Sequence, residues 1–457
     1  MVDSLTPGYD QVGTAWLPLP HWLMLPFVRV DAWWRSGIAG AIPAASCFVI
    51  AGSFLFAAVR RIFQSGAAAF AATALCALNP NLLYLQSTAM TEAVFFVCLA
   101  ALLYFTVRFR ETQGWPSVIG AGIAACAGTL TRYEGWFLVP FAAAYFLIAA
   151  RRRRIEVAGV FCVLAMLGPL FWLGHNWWLS LDPLAFYRGS YSALAIQGSS
   201  NYPGRGDWRK AFLFYRTAAQ LCAGPSLALM AVGGAAAVLM KRTFWPLVLL
   251  ALPGCFILWS MHSGAVPIFV PSLWYGSYYN TRYGLAALPL FAVGAAGLVA
   301  VVPQRARALL AALVVLGGTV PWLVYPRPEH WIVWQEANVN DEARRQAARE
   351  GAAYLALLYQ PGEGIFTSFS AKTTPVYRQM GVPLRDTFTG DNGLPWDAAV
   401  KRPELFLWQQ WALALPGDAV QAAIDHAASY TLEKSITVKG APAILIYRRT
   451  GGNHGTP

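Results

Sequence analysis

Ten mostly apolar stretches run through the first 325 residues, at 36–59, 66–85, 91–107, 115–131, 135–150, 156–177, 218–240, 244–261, 284–303 and 308–325. A helix needs about 20 such residues to cross the hydrocarbon core of a bilayer. Lipid offers no hydrogen bonds, so a crossing segment must satisfy its own backbone, and a helix does this. The pattern predicts a mainly α fold: a polytopic transmembrane helical bundle of about ten spans. Composition agrees. Only 12% of the 457 residues are charged, against 57% hydrophobic, whereas soluble domains average about 25% charged.

The net charge of +12 raises the question of nucleic acid, and its distribution answers it. Residues 326–457 carry 13 Lys/Arg and 13 Asp/Glu, so the whole excess lies in residues 1–325. Twelve of the basic residues there fall in five clusters between apolar stretches: Arg60-Arg61, Arg108 with Arg110, residues 151–154, Lys241-Arg242, and Arg305 with Arg307. That is the bias of cytoplasmic loops, and no nucleic-acid partner is expected. With these clusters inside, the loops near 86–91, 131–135, 178–217 and 262–283 lie outside, as do the first 35 residues and the tail. The seven cysteines all sit in apolar stretches and read as small buried residues.

Two regions depart from the bundle. Residues 8–30 are apolar but interrupted by Pro18, Pro20 and Pro26. Prolines at that density argue against a regular span, so a re-entrant or surface loop is expected. Residues 326–457 form a second domain, small, α/β and extracytoplasmic, after a transmembrane domain at 1–325. Its apolar patterning predicts helices at 341–359 and 418–428, and strands at 364–368, 383–387 and 404–408. A hairpin is predicted from 430–438 and 442–447.

Ionisable residues inside a membrane protein need a reason, and most of those away from the basic clusters collect on the outer side with polar neighbours. They are Asp3, Asp10, Gln11 and His21 near the start; Glu92 after Thr91; Arg132, Tyr133 and Glu134 between two stretches; and Arg282 and Tyr283. The loop before the seventh stretch adds Tyr187, Arg188, Tyr191, Tyr202, Arg205, Asp207, Arg209 and Lys210. Arginine matches phosphate bidentately. Aromatic rings stack on sugar faces. A carboxylate serves as a base for a hydroxyl, or anchors a divalent metal such as Mg or Mn. The set fits a lipid-linked phospho-sugar and a hydroxyl acceptor. Each member also has a plainer reading. The rings form an aromatic belt, and His21 is interfacial. Glu92 is a helix N-terminal acid capped by Thr91. Arg132 and Glu134 are neighbours in a solvated loop.

At these residues the chain resembles the GT-C superfamily of polytopic glycosyltransferases, and more narrowly the bacterial members related to dolichyl-phosphate-mannose protein mannosyltransferases. The resemblance covers residues 1–325. It is carried by Asp3-Ser4-Leu5-Thr6-Pro7-Gly8-Tyr9, the run 11–21, Asn79-Pro80-Asn81, Met90-Thr91-Glu92, Thr131-Arg132-Tyr133-Glu134-Gly135-Trp136 and Thr281-Arg282-Tyr283. It implies inverting transfer of a mannose-like hexose from a polyprenyl-phosphate donor to a protein, lipid or glycan acceptor, at the outer face of the cell membrane. It implies a catalytic acid in the first outer loop, supported by a second acid at Glu92, which is also the position that would anchor a metal. Arg132 and Arg282 would hold the lipid phosphate, with Gln11, His21, Tyr133, Glu134 and Tyr283 lining the substrate. The family's first span and the acid after it have no counterpart here, so the start of the gene is expected upstream, restoring about eleven spans and a cytoplasmic N-terminus; the other reading is a genuine N-out protein. Asp3 and Asp10 are the acids left in that loop.

Two other classes compete. A transporter or flippase for a lipid-linked or anionic solute would place ionisable groups near the midplane on broken helices, often in inverted repeats. A non-catalytic membrane scaffold would bind a partner through its tail.

Overall fold

The computed structural model describes residues 3–189, 192–197, 202–240, 244–427 and 429–450, which leaves Tyr191, Lys241 and Arg242 outside the described residues. The chain divides into two compact bodies: residues 14–28 with 37–336, and residues 3–13 with 29–36 and 337–450.

The first body is a helical bundle. Among the described residues, six helices are long and apolar enough to cross a membrane, and up to eight spans result if each of two bent pairs counts as one. All ten apolar stretches form a helix or a bent pair. Two of the helices, Trp115–Thr129 and Tyr133–Ala149, are short for a span, at 15 and 17 residues. The stretches at 66–85 and 218–240 each form a bent pair. Gly66–Ala77 and Pro80–Gln86 meet at 66°, and Trp208–Ala223 turns by 104° into the next helix, which starts at Pro225. The local chemistry explains both bends. Pro80 has no N–H to continue the first ladder, and Asn79 caps the new helix by accepting from the Leu82 N–H at 3.1 Å. Gly224 takes φ +92°, a left-handed conformation that ends a helix, and Pro225 follows. The second pair begins at residue 208, ten positions before the predicted span, because Asp207 caps it through the Lys210 N–H at 3.1 Å.

Residues 8–30 contain no spanning helix, as expected, but they are not all loop. Leu19–Val28 is a helix, with Pro20 in its first turn, where no N–H is needed, and Pro26 inside it. At 10 residues it is too short to cross a bilayer. The Leu19 N–H donates to the Leu130 carbonyl at 3.0 Å.

The second body is a three-layer α/β unit. Its strands are β1 Ile365–Thr367, β2 Thr387–Phe388, β3 Trp411–Ala414, β4 Tyr430–Ile436 and β5 Ile444–Arg449, in the order β2-β1-β3-β5-β4. β1 is parallel to β2 and β3, and β5 is antiparallel to β3 and β4. Side chains alternate across the sheet. Ile365, Trp411 and Leu413 pack with Ala348, Leu355 and Tyr377 on one face, and Phe366, Ala412 and Ala414 pack with Val420 and Ile424 on the other. The first predicted strand, the hairpin and the second helix form close to their expected places. The helix expected at 341–359 runs instead over Ile332–Ala356. Strands expected at 383–387 and 404–408 do not form as drawn. Leu384–Asp386 is a 3-10 turn before the two-residue β2, Pro403–Phe406 is helical, and the third strand lies at Trp411–Ala414. Pro403 at a first helical position starts a turn. The Ala-rich strand, buried on both faces, shows no alternation to read.

Candidate active site

Glu92 opens the helix Glu92–Thr112 and is 5% exposed. Its Oε1 accepts from Arg132 Nη1 at 3.2 Å and from Arg282 Nε at 3.1 Å. Its Oε2 is buried and has no hydrogen-bond partner among the described residues. One carboxylate oxygen thus collects two guanidiniums while the other stays unused. Thr91 precedes the helix but does not cap it; its hydroxyl accepts from Arg132 Nη1 at 3.0 Å.

Arg132 extends from the turn between Trp115–Thr129 and Tyr133–Ala149, and Glu134 grips it from the first turn of the second helix. Glu134 Oε1 accepts from Arg132 Nε at 2.9 Å and Nη2 at 2.6 Å. Burial works against the charge on Arg132, but Glu134 and then Glu92 outweigh it and push its pKa up. The turn is tight because Gly135 lies against the backbone of Gly128, where a Cβ would sit 2.4 Å from the carbonyl carbon.

Arg282 comes from a 3-10 turn, Thr281–Ala287. It reaches Glu92 through Nε, and its Nη1 lies 3.6 Å from Glu336 Oε1. The Tyr283 ring centroid is 5.1 Å from each guanidinium carbon, so one ring faces both cations. Here too a glycine follows: Gly284 rests on the Ala218 backbone, where a Cβ would meet the carbonyl at 2.4 Å. Two Thr-Arg-Tyr segments, each followed by a close-packed glycine, therefore deliver their arginines to one carboxylate oxygen. The Asn79-Pro80-Asn81 segment braces the surroundings. Both asparagine amides donate to the Cys222 carbonyl, at 2.9 and 3.0 Å. Asn81 Oδ1 accepts from the Val333 N–H at 3.1 Å, and the Cys222 thiol donates to the Thr281 carbonyl at 3.2 Å.

The cluster holds three carboxylates and two guanidiniums, a formal excess of one negative charge. Among the described residues, no group of three or more His, Cys, Asp or Glu side chains is placed to hold a metal ion. Each carboxylate here turns toward an arginine, so the expected metal-anchoring role of Glu92 does not fit this donor set.

Glu92, Arg132, Glu134, Arg282 and Tyr283 are thus brought together. Tyr133 stands beside them with its hydroxyl committed, donating to the Ala15 carbonyl at 3.0 Å and accepting from Trp172 Nε1 at 3.1 Å, while its ring stacks on Phe186. His21 points Nδ1 at the Leu17 carbonyl, 3.3 Å away, one helical turn back. Asp3, Asp10 and Gln11 belong to the α/β body. Asp3 lies 3.7 Å from Arg385, Asp10 is exposed in the turn Tyr9–Val12, and the Gln11 amide donates to Ser4 Oγ and the Thr6 carbonyl, each at 2.6 Å. Glu336 escaped the sequence reading. Its one signal is an acid two positions after the aromatic, apolar run 331–334.

A family model described as dolichyl-phosphate-mannose-protein mannosyltransferase matches residues 17–178, a stretch that includes Glu92, Arg132 and Glu134. A crystal structure of ArnT from Cupriavidus metallidurans in the apo state shares the fold, with a TM-score of 0.52 at 12% identity over 96% of this chain and 91% of that one. No curated protein matches the chain in sequence. The family match agrees with the resemblance read from the sequence over residues 17–178, and the structural match shows the fold.

Proposed function

We propose that the protein moves a mannose-like hexose from a polyprenyl-phosphate donor to an acceptor hydroxyl, with inversion, on the outer face of the cell membrane. The observation that carries this reading is Glu92, a buried carboxylate with one oxygen between two arginines and the other unpartnered. Glu92 Oε2 takes the proton of the acceptor hydroxyl. The hydroxyl oxygen bonds to the anomeric carbon as the bond from that carbon to the phosphate oxygen breaks. The polyprenyl phosphate leaves with the electron pair, and Arg132 and Arg282 hold its charge. Tyr283 keeps the two guanidiniums over one ring. In this reading all ten apolar segments cross the membrane, the short ones upright where the bilayer thins around them. The basic clusters face the cytoplasm, and the α/β body is extracytoplasmic.

The test is sugar transfer from radiolabelled polyprenyl-phosphate mannose and glucose by the purified protein in lipid nanodiscs. Arg282→Lys keeps the charge and loses the fork, so it is expected to raise the donor KM about tenfold, equivalent to about 1.4 kcal/mol, with a smaller change in kcat. An unchanged KM removes Arg282 from the phosphate. The two bent helix pairs are the feature a transporter would share. Passage of labelled polyprenyl-phosphate sugar across vesicle membranes, with no transfer to any acceptor, would favour that class.

A further inference from the structure

We propose that Glu336 is the positioning residue for Arg282, an inference that rests on the transferase reading above. Glu336 lies near the start of the helix Ile332–Ala356 and is 8% exposed. Both of its oxygens are used by the chain just before Arg282. Oε1 accepts from the Asn280 N–H at 2.8 Å, and Oε2 accepts from the Thr281 N–H at 2.6 Å and from the Thr281 hydroxyl. Asn280 has φ +54°, a left-handed conformation that asparagine tolerates better than most residues. Its own amide donates to the Pro267 carbonyl at 3.0 Å. A left-handed residue followed by a helical turn aims consecutive N–H groups into one concavity, a site for an anion. Here the chain fills that site with its own carboxylate.

The consequence falls on the guanidinium. Arg282 has one carboxylate on Nε (Glu92) and another near Nη1 (Glu336). Two anions on different edges fix the plane of the group. Nη2 is the corner that neither engages, and the side chain is 23% exposed against 13% for Arg132. Glu336 thereby presents Arg282 Nη2 to the lipid phosphate. Glu134 orients Arg132 as well, but through Nε and Nη2, with Nη1 on Thr91 and Glu92, so no corner is left open there. A second difference is that Glu134 comes from the same turn as its arginine, whereas Glu336 comes from a remote helix.

The test measures the Kd for polyprenyl phosphate and the donor KM, kcat and melting temperature in wild type, Glu336→Gln, Glu336→Asp, Arg282→Ala and the double variant Glu336→Gln with Arg282→Ala. The expected result is an increase of about tenfold in Kd and KM for Glu336→Gln, with kcat within about twofold, and partial recovery of Kd in Glu336→Asp, which keeps the charge. In the Arg282→Ala background, Glu336→Gln should add nothing, because residues acting through one group are not additive. Glu336→Gln with wild-type constants overturns the role while the transferase reading stands. So does a loss that is independent of Arg282 and accompanied by a lower melting temperature, since that describes a structural brace. If wild type binds no polyprenyl phosphate, the transferase reading and this role fall together.

Discussion

Glu92→Gln is expected to lower kcat for sugar transfer by about two to four orders of magnitude, the range typical of a lost general base, while the protein is still made and still binds donor. The geometry separates these effects. A glutamine oxygen can still accept from Arg132 Nη1 and Arg282 Nε, which now meet at Glu92 Oε1 at 3.2 and 3.1 Å. The cluster's single excess negative charge disappears, so no unpaired cation is left buried, the change that usually unfolds a protein. What is lost is the basic oxygen at Oε2. The guanidiniums also lose an anionic competitor for the phosphate. The donor KM is therefore expected to hold or fall as kcat drops, the pattern of a variant that removes transition-state stabilisation and relieves the ground state. Glu92→Asp is the companion: it keeps the charge, shortens the reach, and should retain more activity than the amide. The measurement is the initial rate against donor concentration for all three proteins. If the amide variant turns over at the wild-type rate, Glu92 is not the base. If kcat falls only together with expression and melting temperature, the carboxylate is a structural element.

The sequence made the bundle legible because length and hydrophobicity suffice to mark an apolar helix: each of the ten stretches forms a helix or a bent pair, and among the described residues six to eight are long enough to cross a membrane. Bends are another matter. Asn79-Pro80 and Gly224-Pro225 are visible as dipeptides, but whether a proline kinks, ends or merely begins a helix depends on what receives the freed backbone groups. At Leu19–Val28 dense prolines permit a helix, but one of 10 residues that is too short to span. The site was half legible. Glu92, Arg132, Glu134 and Arg282 announce themselves as charges among apolar residues. That Glu92 and Arg282 touch from 190 positions apart is a tertiary fact. Glu336 was missed because an acid ahead of a polar helix reads as ordinary surface. Only the fold shows that it turns inward onto the backbone of Asn280 and Thr281.

The same tertiary contacts make the two glycines after the arginines sensitive positions in the bundle. At Gly135 an added Cβ would lie 2.4 Å from the Gly128 carbonyl carbon and oxygen, and at Gly284 it would lie 2.4 Å from those of Ala218. Neither obstacle is a side chain that can swing away. Both are helix backbone, so the turn carrying the arginine must move instead. Gly135→Ala and Gly284→Ala are each expected to destabilise by about 1–3 kcal/mol, the usual penalty for overpacking. They should also weaken donor binding, because the displaced turns are those that hold Arg132 and Arg282 against Glu92. Gly159 gives the contrast. It lies within the helix Arg154–Ser180, where a Cβ would meet nothing within 4 Å. Gly159→Ala there gains helix propensity of roughly 0.8–1 kcal/mol and is expected to leave the melting temperature level or higher. Thermal unfolding of the three variants in the same nanodiscs, with polyprenyl-phosphate binding measured alongside, decides the matter. If Gly135→Ala and Gly284→Ala melt and bind like Gly159→Ala, the backbones are not in contact at these two turns, and the convergence of the arginines on Glu92 loses its structural basis.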